Sequence, residues 1–173
     1  PKSTELAGRF ADGWHCLMHT PEGVSERAID LERGAEMGDR DPNQIRTMLM
    51  LNCCALEDGS RARSLVRDRV TFYLGGMGTF YRDALARQGY EELANSIYQA
   101  WQDDERDHAR ALVEDNILDS LAAGGTPDQV RSTVEKFSAV EEIDAINIAV
   151  PREATADEVE RTIQALAPLV DEN

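Results

Sequence analysis

The sequence predicts an α/β fold built on a parallel sheet that this chain does not complete, and three observations predict it. Helix and strand patterns alternate along most of the chain, an order that requires right-handed crossovers and parallel strands. Two strand-like runs, residues 45–55 and 143–150, are apolar almost without interruption, as in a strand covered on both faces. One further strand pattern, residues 13–18, is all that the rest of the 173 residues offers, so apolar sheet edges would be left open. Residues 1–173 therefore read as one α/β unit that is part of a larger one.

The elements follow in order. Residues 3–11 carry a helical pattern, with Ser3 or Thr4 at its start as a cap. Gly13-Trp14-His15-Cys16-Leu17-Met18 reads as a strand. Thr20-Pro21-Glu22 opens the next helix with a capping residue and Pro at the first helical position. Val24, Ala28, Leu31 and Ala35 give that helix one apolar stripe, and Gly38 and Asp41-Pro42 end it. In the second strand Met48, Leu49, Met50 and Leu51 are consecutive, without alternation.

Residues 58–123 hold no convincing strand and are predicted to form a helical insertion of about four pieces. Leu65, Phe72 and Tyr73 lie on an early helix of it, and Leu93, Ile97 and Trp101 share a face of a later one. Gly75-Gly76-Met77-Gly78 interrupts the helical run. It does not match a phosphate-binding loop, and no strand leads into it. Thr126-Pro127-Asp128-Gln129 is a capping box, followed by the stripe Val130, Val134 and Phe137. Pro151 closes the third strand. Thr155 and Glu158 cap the last helix, whose stripe is Val159, Ile163, Leu166 and Val170.

Charge narrows the function classes. The chain has 33 Asp+Glu against 18 Lys+Arg, a formal net charge of -15, which repels phosphate backbones and anionic lipid and argues against nucleic-acid and membrane partners. Apolar residues at 42% suffice for a real core. No apolar run approaches the ~18 residues of a membrane span, and nothing at the start resembles a signal peptide. Lys occurs only at Lys2 and Lys136. An acid excess with so little Lys suits a protein working in high salt, where screening removes self-repulsion. Cys16, Cys53 and Cys54 form neither a disulfide framework nor a zinc motif, and Cys53 and Cys54 read as small buried hydrophobes. A reducing, cytoplasmic setting follows. The chain does not open with Met and is expected to begin inside a longer product.

Three segments carry a family resemblance. Pro-Lys-Ser-Thr-Glu-Leu-Ala-Gly-Arg-Phe-Ala-Asp-Gly-Trp (residues 1–14) resembles the segment after the fifth strand of luciferase-like flavin or deazaflavin oxidoreductases. Phe72-Tyr73-Leu74-Gly75-Gly76-Met77-Gly78-Thr79-Phe80-Tyr81 and Ala123-Gly124-Gly125-Thr126-Pro127 resemble later landmarks of the same proteins. The resemblance implies a (β/α)8 TIM barrel of which this chain is the C-terminal part. Residues 13–18, 45–55 and 143–150 would be strands six to eight, with residues 58–123 inserted between seven and eight.

The same resemblance implies a site. In the family, the turn and helix start after strand five hold the phosphate of FMN or coenzyme F420, and free N–H groups at a helix start suit an anion. The matching positions are Lys2, Ser3 and Thr4, with Ser3 foremost for a hydroxyl contact. His15, Leu17 and His19 would border the substrate pocket at the C-terminal end of strand six, on one face if the alternation continues. Some sugar-phosphate-specific members carry Thr where Leu17 stands, and basic residues later; this sequence has Leu17 and no matching Lys or Arg, which argues against a phosphorylated sugar. The implied activity is hydride transfer with coenzyme F420. The alternatives are an FMN-dependent monooxygenase and a half-barrel that binds or supports without catalysis. The implied partners are a small-molecule substrate and either the missing N-terminal half or a second copy in a homo-oligomer. The catalytic acid/base would lie outside this chain. Glu105 and His108 form one Glu-x-x-His pair, but a di-iron bundle needs two, so they read as a solvated acidic face and no metal is expected.

Overall fold

Among the described residues four parallel strands form the sheet, one more than expected. The computed structural model describes residues 2–170, so Pro1, which opens the first quoted segment, lies outside the described residues. The strands are β1 (Gly13–Leu17), β2 (Arg46–Ala55), β3 (Ala122–Gly125) and β4 (Ala145–Ala149). The long β2 is the hub. Its first half pairs with β1 from Gly13 opposite Arg46 to Leu17 opposite Met50. Its middle pairs with β4 from Ala145 opposite Met48 to Ala149 opposite Asn52. Its last four residues pair with β3, ending at Ala55 opposite Gly125.

The additional strand, β3, reads Ala-Ala-Gly-Gly and is buried throughout. It carries no β-branched or aromatic residue and no alternation, so nothing in its pattern marks a strand. A Cβ on Gly124 would lie 3.2 Å from Arg63 and Val66 of the helix Gly59–Gly76, so the strand and that helix pack closely.

Helix α1 (Lys2–Phe10) packs on α2 (Pro21–Met37). Thr20 caps α2 as expected, its hydroxyl accepting the Gly23 N–H at 3.0 Å. The insertion comprises α3 (Gly59–Gly76), α4 (Phe80–Leu85), a π-helical turn (Ala86–Tyr90), α5 (Glu91–Gln102), α6 (Arg106–Leu112) and α7 (Asp115–Leu121). Gly75 and Gly76 lie inside α3 and do not break it. A Cβ on Gly75 would sit 2.5 Å from Cβ and Cγ of Trp101, so these glycines admit the indole, and the break comes at Met77 and Gly78 (φ 69°).

The last two helices are α8 (Pro127–Ser138) and α9 (Ala156–Leu166), and both carry the expected capping boxes. The stripe of α8 is buried as read. That of α9 is not. Ile163 is 59% exposed, Val170 lies beyond the helix end and is exposed, and the buried positions are Thr162 and Leu166. The Thr162 hydroxyl accepts the Ala55 N–H at 3.1 Å and donates to the Glu158 carbonyl at 2.8 Å. A polar residue that satisfies a buried strand amide is invisible to an apolar periodicity.

The sheet is covered unevenly. Leu49, Leu51 and Cys53 pack with Cys16, Val130, Val134, Phe137 and Leu166 on one face. On the other, Met50 and Cys54 meet the core of the insertion. Toward the start of the strands that second face is bare: His15 and Ala145 are exposed, and Met48 between them is 38% exposed. A hollow of about 450 Å³ opens there among Gly13, His15, Met48 and Ala145. The expectation that β2 and β4 are covered on both faces is therefore met within this chain only in part. All three cysteines are free and buried, and burial pushes the Cys16 thiol up to about 12. No helix among the described residues is long and apolar enough to cross a membrane.

Candidate functional site

Helix α1 begins at Lys2, so Ser3 and Thr4 stand in its first turn and not at the cap position expected for one of them. The N–H groups of a first turn have no partner within the helix. Lys2 and Ser3 are exposed and Thr4 is buried. This turn opens into a cleft of about 560 Å³, which Lys2, Ser3, Thr4, His15, Leu17 and His19 all line.

The shape of the cleft follows from β1. Trp14, His15, Cys16 and Leu17 are consecutive, and all four line it. Neighbouring residues of a strand point to opposite faces, so one cavity can reach all of them only along the strand's edge. Among the described residues β1 pairs with β2 alone, so this edge is unpaired. The cleft is therefore partly a groove in which another strand could pair, and it continues past the end of β1.

His19 does not reach the cleft by alternation. Strand β1 ends at Leu17, and Met18, buried, adopts φ 58° and turns the chain. The imidazole folds back so that Nδ1 lies 2.9 Å from the Leu17 carbonyl and its ring meets Trp14 edge-on at 5.5 Å. A carbonyl only accepts, so Nδ1 carries the proton, and Nε2 has no hydrogen-bond partner among the described residues. Burial, seconded by Arg27 and Arg87 and partly opposed by the Leu17 bond, holds the imidazole below its ordinary value, so the neutral ring is favoured.

Gln88, on the π-helical turn, fixes this corner. Its Oε1 accepts the Thr20 N–H at 2.8 Å, and its Nε2 donates to the carbonyls of Met18 and Ala84, each at 3.0 Å. One carboxamide thus ties the exit of β1 to the insertion. Gly23 leaves room for it, since a Cβ there would sit 2.7 Å from Gln88 Cδ.

Arg27, Arg87 and Gln88 line the cleft, yet no sequence pattern singled them out. The fold brings Arg27 and Arg87 to the cleft that Leu17 lines. Glu105 and His108 are exposed, and among the described residues no three His, Cys, Asp or Glu side chains gather to hold a metal. Asn52 is buried, and its Nδ2 has no hydrogen-bond partner among the described residues. It sits on the same face of β2 as Met48 and Met50.

A family model described as luciferase-like monooxygenase matches residues 1–143. A Mycobacterium tuberculosis protein, provisionally described as a coenzyme F420-dependent oxidoreductase, is 24% identical over 172 residues, 96% of this chain and 48% of its own length. The structure of coenzyme F420 dependent tetrahydromethanopterin reductase from Methanopyrus kandleri is similar with a TM-score of 0.72 at 17% identity, covering 97% of this chain and 48% of that one. EDTA monooxygenase from Chelativorans sp. BNC1 is similar with a TM-score of 0.57 at 16% identity, covering 97% and 43%. The chain spans about half the length of these relatives, and its α/β fold is that of their corresponding parts. With most of its length matched by the family model, the chain belongs to the luciferase-like monooxygenase family.

Proposed function

We propose that this chain is the C-terminal part of a (β/α)8 oxidoreductase, in which β1, β2 and β4 are barrel strands six, seven and eight and α1 holds the phosphate of coenzyme F420. The observation that carries this reading is the first turn of α1 opening into the cleft at the end of β1. The residues there fit a phosphate: Lys2 supplies charge, Ser3 a hydroxyl, and the turn its unpaired N–H groups. They supply no redox chemistry. When bound, the deazaflavin would exchange a hydride with a small-molecule substrate. This chain's contribution is to anchor the cofactor and to form part of the rim with His15, Leu17 and His19.

The unpaired edge of β1, the bare sheet face around Met48 and the unpartnered Asn52 amide all support a further half of the barrel seated here. In this reading that half supplies the cofactor's remaining contacts and the catalytic acid/base. A second copy of this chain is the other candidate for that cover. FMN is the second cofactor reading, because its phosphate would suit the same turn, and the likeness to EDTA monooxygenase favours oxygen chemistry.

The test is Ser3→Ala in the chain joined to its N-terminal half. Cofactor binding is expected to weaken by about 1 kcal/mol, somewhat more if the lost bond is charged, with kcat at saturating cofactor nearly unchanged. A titration following deazaflavin fluorescence measures the first and steady-state turnover the second. An unchanged affinity, or an effect confined to kcat, would show that the phosphate binds elsewhere.

A further inference from the structure

We propose that Arg87 is the receptor for an oxyanion, a carboxylate or phosphate of a bound ligand, in the cleft that the first turn of α1 also lines. The proposal deepens the reading of this cleft as a ligand site. Its basis is an imbalance in how the chain uses its cations. Every other arginine is engaged: Arg27 with Asp30 at 2.7 Å, Arg40 with Asp12, Arg46 with Asp144 and Arg61 with Glu158 among the ion pairs, and Arg9 and Arg69 over aromatic rings. Among the described residues Arg87 has no ion pair, hydrogen bond or ring partner. In a chain with a net charge of -15, acidic partners are abundant, so an idle guanidinium is unexpected.

Arg87 is exposed and lines the cleft. Arg87 lies on the π-helical turn between α4 and α5, a local irregularity of the kind often found at functional sites. The neighbouring Gln88 spends its whole carboxamide on Thr20, Met18 and Ala84. That bond set fixes the turn that carries Arg87 against the exit of β1. The lining of the cleft is cationic on balance: Lys2, Arg27 and Arg87 face one carboxylate, Asp83, which Arg82 already holds at 2.6 Å. His19 lines the same cleft, and its Nε2 has no partner among the described residues. A guanidinium offers five donors in a planar fork that matches a carboxylate or phosphate with two parallel bonds.

The test follows the His19 imidazole by NMR while inorganic phosphate is titrated into the chain. A saturable shift of the His19 resonances is expected. Arg87→Gln should weaken phosphate binding about tenfold or more, the usual size for loss of a charge-assisted pair. Arg87→Lys should keep part of the affinity, and Arg152→Gln, at an exposed arginine outside the cleft, should change nothing. No saturable shift, or equal affinity in wild type and Arg87→Gln, would overturn the proposal. Repeating the titration on the assembled barrel with saturating coenzyme F420 identifies the source of the anion. A phosphate response abolished by cofactor assigns Arg87 to the cofactor's own anionic groups, and a response that persists assigns it to the substrate. Phosphate binding at Arg87 without any binding of coenzyme F420 would remove the cofactor reading and leave the anion receptor standing.

Discussion

Residues 1–173 alone are expected to transfer no hydride, and turnover is expected to appear when the N-terminal half of a luciferase-like barrel is supplied. Hydride transfer needs donor and acceptor carbons held at about 3–3.5 Å with their orbitals aligned. In the proposed reading the cleft anchors one end of a cofactor, yet among the described residues it is open along the unpaired edge of β1. The sheet face beside it is bare around Met48, and the Asn52 amide is buried without an acceptor, which costs about 1–3 kcal/mol unless another element supplies one. Such a surface can bind a phosphate without fixing a ring. The measurement is the absorbance change of the deazaflavin with and without the co-expressed N-terminal half. Turnover by the isolated chain would show that the working site is already complete here.

The second large effect is expected at Gly34. Helix α1 has nine residues, too few to be stable by itself, so its first turn is placed only by packing on α2. The two helices meet backbone to backbone. A Cβ on Gly8 would stand 2.9 Å from the Leu31 carbonyl carbon, and one on Gly34 would stand 2.7 Å from the carbonyl carbon of Glu5. Neither obstacle is a flexible side chain, so Gly34→Ala must push α1 away. Overpacking of this kind costs up to about 3 kcal/mol, while alanine's helix propensity returns about 1, leaving a net loss of about 2 kcal/mol. For a chain of this size that lowers Tm by about 4–8 °C. Because α1 also carries Ser3, cofactor binding should weaken in the same variant. Calorimetry and a cofactor titration check both. A Gly34→Ala chain with unchanged or raised Tm would mean that propensity prevails and the close crossing does not hold α1 in place.

Local signals were readable where the chemistry is local. Thr20, Thr126 and Thr155 sit at helix starts as expected, because a hydroxyl cap acts within three residues. The apolar runs of β2 and β4 marked strands, but their pattern does not show that the face around Met48 stays exposed within the described residues. Strand β3 has no sequence signature, because its Ala-Ala-Gly-Gly gains stability from being enclosed and carries no pattern of its own. The candidate site was legible through resemblance at Lys2, Ser3, Thr4, His15, Leu17 and His19, and the fold sets all six around one cleft. Its other half was not. Gln88 bonds to residues about seventy positions away in the chain, and Arg87 is brought to the cleft by that bond. Contacts of such separation leave no period in the sequence. The positive φ of Met18 was equally hidden, since neither Met nor its neighbours announce a left-handed turn.

The most direct test of phosphate anchoring by α1 is a crystal structure of the chain joined to its N-terminal half, with coenzyme F420 bound. The phosphate is expected at the first turn of α1, with Ser3 Oγ and the turn's backbone N–H groups at about 3 Å from its oxygens. A phosphate bound elsewhere, with Ser3 and that turn left to solvent, would contradict it.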